Sequence, residues 1–148
     1  MKVYCSGKYK PKYGTDASAG LDLSNNGGKV VIQPNTTKSI DSKVHVAISK
    51  GYVGLLFLRS SLGSKNLRLV NSVGVIDSDY RGEIGLKVMN LGYENVIIEE
   101  GERFAQLVVV PYQGGMDLVD SLKDLGETDR GNGGFGSTGK FWKISIDL

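Results

Sequence analysis

The sequence predicts an all-β fold, a sandwich or barrel of short strands, with a glycine-rich arm after it. Three observations lead to this prediction. Apolar and polar residues alternate with period two in several segments, which is typical of strands with one buried face. Turn residues bound these segments at short intervals, as they do in sandwiches and barrels. Glycine occurs 21 times in 148 residues, roughly twice its usual share, which indicates many turns.

The individual strands follow from the alternation and from short apolar runs between turn residues. We expect strands at 29–32, 44–48, 52–58, 73–76, 96–98, 105–110 and 142–148, and one beginning at Gly82 and running to 89. Helical spacing occurs only at Leu118, Val119, Leu122 and Leu125, where a short helix is expected.

Composition excludes several classes of protein. The length fits one domain, and the net charge of +2 is too small to indicate a nucleic-acid partner. No apolar stretch has the length of a membrane span or a signal peptide. The single Cys5 and the single His45 make a zinc site improbable and fit a reducing compartment. We therefore expect a cytoplasmic protein, acting in the host cytoplasm if it is viral, with no membrane partner.

The composition changes at about Asp129. We predict a β domain over 1–129 and a flexible arm with a tail over 130–148, because five glycines in residues 130–140 cannot form a stable fold alone. Two motif matches in this arm are false. Residues 131–136 match the dinucleotide fingerprint without a following helix, and residues 134–140 match a phosphate loop without its final hydroxyl residue. Closely spaced backbone amides would nevertheless suit a phosphate chain.

Several aspartates are candidates for chemistry. Asp77 and Asp79 lie in a turn-like stretch, where aspartates usually cap the local backbone. Asp22, between Leu21 and Leu23, must face solvent, a cation or a partner, and alternation makes solvent the expectation.

Other polar residues have equally open interpretations. The segment Arg59-Ser60-Ser61 follows an apolar run and is either an anion site or a polar turn. Gln106 is typical of the polar face of a strand. A nucleophile and base pair of Ser60 with His45 requires a geometry that no sequence gives, so we expect a structural histidine.

Five short segments in order resemble the motifs of the homotrimeric dUTP pyrophosphatases. They are Ala19-Gly20-Leu21-Asp22-Leu23, Arg59-Ser60-Ser61-Leu62-Gly63, Asn71-Ser-Val-Gly74-Val-Ile-Asp77-Ser-Asp-Tyr80-Arg-Gly82, Gly101-Glu-Arg-Phe-Ala-Gln106-Leu-Val and Arg130-Gly-Asn-Gly-Gly-Phe135-Gly-Ser-Thr-Gly139. The third and fifth are highly specific. The resemblance implies a distorted jelly-roll-like β-barrel subunit and a homotrimer whose three sites lie between subunits, each closed by a glycine-rich arm.

The resemblance also implies a reaction, the Mg²⁺-dependent hydrolysis of dUTP to dUMP and pyrophosphate. Asp77 would be the catalytic base that activates water against the α-phosphorus. Asp22 would hold water ligands of Mg²⁺ in the metal's outer shell. The implied substrate-binding residues are Arg59, Ser60, Ser61 and Gln106 for the α and β phosphates, Asn71 and Gly74 for uracil, Tyr80 for the deoxyribose, Phe135 for stacking on uracil, Arg130, Ser137 and Thr138 for the γ-phosphate, and Gly136 as a further contact in the arm.

The sequence departs from the family pattern in two places. Leu58 and Ser61 flank Arg59-Ser60 where Pro-Arg-Ser-Gly is common, which puts the phosphate contact of Ser61 in doubt. Residues 140–148 extend beyond the fifth motif, and we expect this tail to dock on a neighbouring subunit. Rival functions are dCTP deamination, which shares the fold and an Arg-Ser-Ser motif, a regulatory role with a protein partner, and a purely structural β-protein.

Overall fold

The computed structural model describes residues 1–137 and 139 of the chain. It contains twelve strands, one short α-helix and one 3₁₀ helix at Leu122–Leu125. The strands are β1 (Lys2–Cys5), β2 (Lys12–Tyr13), β3 (Leu21–Ser24), β4 (Val30–Ile32), β5 (Thr37–Asp41), β6 (Val44–Ala47), β7 (Tyr52–Leu58), β8 (Leu67–Leu69), β9 (Gly74–Ile76), β10 (Gly85–Asn90), β11 (Val96–Ile98) and β12 (Arg103–Pro111), and helix α1 is Ser60–Gly63. The all-β prediction is confirmed.

The strands form four antiparallel sheets. The largest has five strands in the order β2-β3-β12-β7-β9. A second has the order β5-β10-β8, and two pairs, β1-β6 and β11-β4, complete the set. Strand β12 pairs with β3 on one side and with β7 on the other, so the largest sheet joins segments that are far apart in the sequence.

The core is formed by the apolar positions of the alternating strands. Residues expected to face inward are buried, namely Val44, Val46, Ile48, Ile84, Leu86 and Val88. Phe104 and Leu107 of β12 join the same cluster. Each large apolar side chain that is buried in this way contributes about 1.5–3 kcal/mol.

Several predicted element boundaries need correction. The strand expected from Gly82 begins at Gly85, because residues 77–84 contain a turn, a bend at Gly82 and otherwise irregular backbone. The apolar residues spaced from Leu118 to Leu125 form only the four-residue 3₁₀ helix, and none of its side chains is buried. Four residues cannot present a continuous apolar stripe to a core, so this segment lacks the packing that stabilises a longer helix. The strand predicted at 142–148 lies outside the described residues.

The chain divides into two compact units. The first comprises Met1–Gly114 and holds all twelve strands, and the second begins at Gly115. The boundary predicted at residue 129 stays a prediction. Neither of the two described helices has the length or apolar character needed to cross a membrane.

Candidate active site

Asp22 lies at the centre of a polar cluster on the largest sheet. Its neighbours Leu21 and Leu23 are buried in the core, so the alternation of β3 turns Asp22 to the other face. Its side chain is only 12% exposed. The expectation that Asp22 faces solvent is therefore wrong, because two arginines cover its carboxylate.

Those arginines are Arg59 and Arg103. Nε of Arg59 lies 3.3 Å from Oδ1 of Asp22, and Nη1 of Arg103 donates a hydrogen bond of 2.9 Å to Oδ2. Two guanidinium charges against one carboxylate leave this cluster with one net positive charge. A half-buried positive cluster attracts polyphosphate anions more strongly than an exposed lysine does, because water screens it less.

An open pocket surrounds the cluster. Arg59, Ser60, Arg103 and Gln106 line it together with Asp22. Gln106 lies directly opposite Asp22 in the β3–β12 register, which agrees with the prediction that it occupies a polar strand face. A Cβ atom at Gly20 would lie 2.9 Å from Oε1 of Gln106, so the absence of a side chain there lets Gln106 approach.

The segment after Arg59 is a short helix, where we had expected either an anion site or a polar turn. Helix α1 begins at Ser60, and Leu62 anchors it in the core. Ser60 lines the pocket of Asp22, whereas Ser61 is exposed and does not line it. The phosphate contact of Ser61 remains a prediction, and the structure brings only Ser60 of the two serines beside Asp22.

Sequence reasoning missed Arg103. This residue was quoted within the fourth motif without a role, and strand alternation places it on the same face as Ala105, which is fully buried. A shift in the β3–β12 register between Arg103 and Ala105 instead places Arg103 on the opposite face from Ala105. Phe104 and Ala105 are adjacent apolar residues, but such a pair does not by itself reveal a bulge, so the sequence held no sufficient signal for the face of Arg103.

The connection between β8 and β9, which belong to different sheets, carries the next predicted residues. Asn71 is exposed in the turn, and its carbonyl accepts a hydrogen bond of 2.6 Å from the Val73 amide. Gly74 is buried beside Leu56, whose Cβ would lie 3.1 Å from a Cβ added at Gly74. The end of this connection therefore packs closely on β7, while Asn71 remains open to a ligand.

Asp77 follows β9 directly. It is exposed, and its carboxylate has no hydrogen-bond or ion-pair partner among residues 1–137 and 139. A turn closed by the Tyr80 amide and the Asp77 carbonyl, 3.2 Å apart, places both side chains on one short segment. Asp77 and Asp79 line an open pocket with Tyr52, Val75 and Tyr112.

Tyr80 has a fixed hydroxyl. It donates a hydrogen bond of 3.1 Å to the Glu83 carbonyl, while the ring remains 44% exposed. An aromatic ring with one anchored end and an open face is suited to packing on a sugar.

Glu83 is in turn held by Lys43. One carboxylate oxygen of Glu83 accepts a hydrogen bond of 3.0 Å from the Lys43 amide. The other oxygen lies 3.3 Å from the Lys43 ammonium nitrogen. The hydrogen bond with Glu83, followed by the charges of Glu83 and Asp41, raises the pKa of Lys43 above its usual value. These contacts fix the segment after Tyr80 to the turn between β5 and β6.

His45 has a structural contact of its own. Its Nδ1 lies 2.9 Å from the Arg81 carbonyl, and its ring lies 5.9 Å from that of Tyr4. These contacts agree with the expectation of a structural histidine.

The described part of the predicted arm consists of turns. Nε of Arg130 donates a hydrogen bond of 2.8 Å to the Gly133 carbonyl, and the Ser137 amide donates to Gly134. Phe135 has a positive φ of 46°, Gly136 has one of 95°, and the Phe135 ring is fully exposed. Thr138 lies outside the described residues. The arm thus presents an uncovered aromatic ring within a backbone of successive turns.

Within the first unit, five of the predicted residues line two pockets. Asp22, Arg59, Ser60 and Gln106 line one, whereas Asp77 lines the other, and the two pockets share no residue. The described residues also contain no cluster of three or more histidine, cysteine or acidic side chains suited to a metal ion.

Known proteins resemble this chain over most of its length. The dUTPase family model matches residues 8–139. The deoxyuridine 5'-triphosphate nucleotidohydrolase of Escherichia phage T5 is 43% identical over 137 residues, which cover 87% of this chain and 90% of that protein. The protein of the same name from Hahella chejuensis is 45% identical over 133 residues, with 87% and 86% covered.

Solved structures agree with the sequence relatives. The dUTPase of Staphylococcus bacteriophage 80alpha, solved with dUpNHpp, has a TM-score of 0.82 and 30% identity, covering 94% of this chain and 98% of that one. The dUTPase from phage phi11 of S. aureus has a TM-score of 0.74 and 27% identity, covering 82% and 97%. The jelly-roll-like fold that the resemblance implied is therefore confirmed. With a family model that matches nearly the whole described chain and relatives above 40% identity, this chain belongs to the dUTPase family.

Proposed function

We propose that this chain is a Mg²⁺-dependent dUTP diphosphatase, which hydrolyses dUTP to dUMP and pyrophosphate by attack of water on the α-phosphate. The reaction would keep uracil out of DNA and supply dUMP for dTMP synthesis. One observation carries the proposal, namely the positive cluster of Arg59, Asp22 and Arg103 beside Ser60 and Gln106, in a chain of the dUTPase family.

The phosphate chain would bind at this cluster. Arg59 keeps its terminal nitrogens for an anion, because its Nε is the atom that faces Asp22. Ser60 and Gln106 add neutral donors in the same pocket, and Ser61 is a further candidate one residue along α1. Charged and neutral donors on one anion make shorter and stronger hydrogen bonds than neutral groups alone.

Asp77 would be the general base. An exposed carboxylate without a protein partner is free to accept a proton from water, and it also suits a contact with the sugar 3′-hydroxyl. Water that loses this proton attacks the α-phosphorus, the bond to the bridging oxygen breaks, and pyrophosphate leaves. General base catalysis of this kind contributes about 10²–10⁴-fold to the rate.

Selectivity would come from the third motif. The ring of Tyr80, held through its hydroxyl by the Glu83 carbonyl, packs on the deoxyribose and leaves no room for a 2′-hydroxyl. Asn71 and the backbone at Gly74 read the uracil edge. A cytosine amino group there leaves a buried donor unpaired, which costs about 1–3 kcal/mol.

The arm would close over the bound nucleotide. Phe135, whose ring is fully exposed, stacks on uracil beside Gly136. Arg130 and Ser137 grip the γ-phosphate, and Thr138, outside the described residues, is expected to do the same.

Mg²⁺ fits Asp22 through water rather than by direct ligation. Each oxygen of Asp22 already contacts one guanidinium, and a carboxylate retains further lone pairs that accept hydrogen bonds from metal-bound water. When bound, the metal supplies positive charge that offsets the charge of the phosphate chain. A mutant of the phi11 dUTPase is described with a structural Mg(II) ion.

A homotrimer with shared sites would bring the two pockets together. Within one chain, Asp22 and Arg59 line one pocket and Asp77 lines another. In a cyclic trimer each subunit presents the same two surfaces. The pocket of Asp22 and Arg59 on one subunit can therefore meet the pocket of Asp77 on the next. The tail at 140–148 is expected to dock on a neighbour, and deletion of 141–148 should then reduce trimer stability or dUTP affinity.

A substrate panel tests the proposed function. The enzyme is assayed with the eight common nucleoside triphosphates and Mg²⁺, and both pyrophosphate and ammonia are measured. We expect pyrophosphate from dUTP, much less from the other seven, and no ammonia from dCTP. Ammonia from dCTP would favour the deaminase alternative, and a preference for any triphosphate other than dUTP would contradict the proposal.

A regulatory role is the second candidate. The 80alpha dUTPase, similar over 94% of this chain, is described as controlling transfer of virulence genes by a G protein-like mechanism. Nucleotide-controlled closure of an arm is a suitable switch for such a role. A pull-down with and without dUpNHpp tests it, and a partner whose capture does not depend on the nucleotide would contradict the switch.

A further inference from the structure

Strand β12 contains an irregularity beside the phosphate pocket. Three successive residues of β12 pair regularly with β3: Leu107 lies opposite Leu21, Gln106 opposite Asp22 and Ala105 opposite Leu23. The next residue opposite β3, at Ser24, is Arg103 and not Phe104. Phe104 is therefore one extra residue on the β12 side, which is a β-bulge.

The bulge changes the direction of Arg103. In a regular strand Arg103 would share a face with Ala105, which is fully buried in the core. With Phe104 inserted, Phe104 and Ala105 are both buried, and Arg103 comes to the face of Asp22 and Gln106. The Phe104 carbonyl also accepts the Arg59 amide at 3.1 Å. One irregular residue thus directs Arg103 and fixes the backbone of Arg59.

The three charged side chains form a linear relay. Arg103 holds Oδ2 of Asp22 at 2.9 Å, and Oδ1 of the same carboxylate lies 3.3 Å from Nε of Arg59. Asp22, in the middle, is the least exposed of the three, with its side chain 12% exposed against 53% for Arg103 and 27% for Arg59. Among the residues described, no second acceptor contacts the Arg59 guanidinium, so Asp22 alone orients it.

We propose that Arg103 is a positioning residue of the phosphate site, which fixes Asp22 and through it orients Arg59 toward the phosphate chain. The inference rests on the proposed function only for the identity of the anion. Arg103 acts through Asp22 and not by its own contact with the nucleotide.

A double-mutant cycle tests this relay. Affinities for dUpNHpp and for inorganic tripolyphosphate, both with Mg²⁺, are measured by calorimetry for wild type, Arg103→Gln, Asp22→Asn and the double variant. We expect Arg103→Gln to weaken both ligands about fivefold, as loss of a half-exposed ion pair does. In the Asp22→Asn background the same change should have no further effect, because the relay is already broken.

Two further variants separate positioning from charge and packing. Arg103→Lys should restore most of the affinity, since a single nitrogen, Nη1, makes the contact with Asp22. Lys38→Gln, at an exposed position of β5, removes one positive charge elsewhere and should leave both affinities unchanged. The unfolding temperature of ligand-free Arg103→Gln should stay within about 3 °C of wild type.

Four results would overturn the inference. They are a wild-type affinity in Arg103→Gln, an undiminished effect of Arg103→Gln in the Asp22→Asn background, an equal loss in Lys38→Gln, and a larger fall of the unfolding temperature. Tripolyphosphate separates this inference from the proposed function. If wild type binds tripolyphosphate but not dUpNHpp, the proposed substrate is wrong, and the role of Arg103 is then tested with tripolyphosphate alone. If wild type binds neither ligand, both proposals fail.

Discussion

Tyr80 depends on a glycine two residues later. Its ring lies over the backbone at Gly82, where an added Cβ would overlap the ring carbons and the hydroxyl oxygen. The hydroxyl reaches the Glu83 carbonyl across this space. A side chain at Gly82 would push the ring away, and a displaced ring could not exclude a 2′-hydroxyl from the proposed sugar site.

Gly82→Ala should therefore reduce the discrimination between dUTP and UTP. We expect the ratio of their kcat/KM values to fall about tenfold, in the range that one misplaced group in a pocket produces. Steady-state pyrophosphate release with both substrates measures the ratio. Gly63→Ala is the matched control, because a Cβ there meets nothing within 4 Å, and an equal change in both variants would contradict this role of Gly82.

At the level of elements, the sequence pattern found seven of the twelve strands and missed both buried strands, such as β3 and β8, and exposed ones, such as β1 and β2. The strands at Tyr52–Leu58 and Val96–Ile98 have the predicted limits, because apolar runs between turn residues mark both ends. Strands β1 and β2 have largely exposed side chains, and such strands leave no periodic signal. Helix α1 has only four residues and the bulge at Phe104 depends on the register, so neither has a signature in local sequence. The positions of Ser60 and Arg103 were therefore beyond prediction.

Asn90 anchors the connection between β10 and β11. It is fully buried, and its amide group donates to the carbonyls of Ile32 at 2.9 Å and Glu94 at 2.7 Å while accepting the Gly92 amide. Replacing it with leucine leaves these backbone groups unpaired, so the free energy of unfolding should fall by about 2–4 kcal/mol. Chemical denaturation measures this change.

The exposed Asn95, which makes no side-chain hydrogen bond with the described residues, provides the control. Asn95→Leu should change the free energy of unfolding by less than about 0.5 kcal/mol. Equal effects of the two substitutions would show that burial of Asn90 does not stabilise the fold.

At the scale of the whole molecule, one chain supplies two incomplete halves of the proposed site. Arg59 and Asp22 line one pocket, and Asp77 lines another. Sequence motifs give the identity of these residues but not which of them meet, because a motif carries no information about which subunit contributes it. The proposed sharing of sites would therefore be a property of the assembly.

Subunit mixing tests the shared site. Arg59→Gln and Asp77→Asn trimers should each be inactive. If Asp77 and Arg59 of one site come from different subunits, random mixed trimers from equal amounts should regain about a quarter of the wild-type activity, since each site draws one residue from each of two chains. Activity is measured after denaturation and joint refolding. No recovery, although mixed trimers form, would place both residues in the same chain.

The base at Asp77 is the most direct test of the proposed reaction. Asp77→Asn should lower kcat for dUTP about 10³-fold, because general base catalysis is lost. Its affinity for dUpNHpp should stay within about threefold of wild type, since the phosphate cluster and Tyr80 are untouched. Asp79→Asn, at another exposed aspartate two residues later, should retain its rate. Undiminished pyrophosphate release by Asp77→Asn, or an equal loss in Asp79→Asn, would contradict the account.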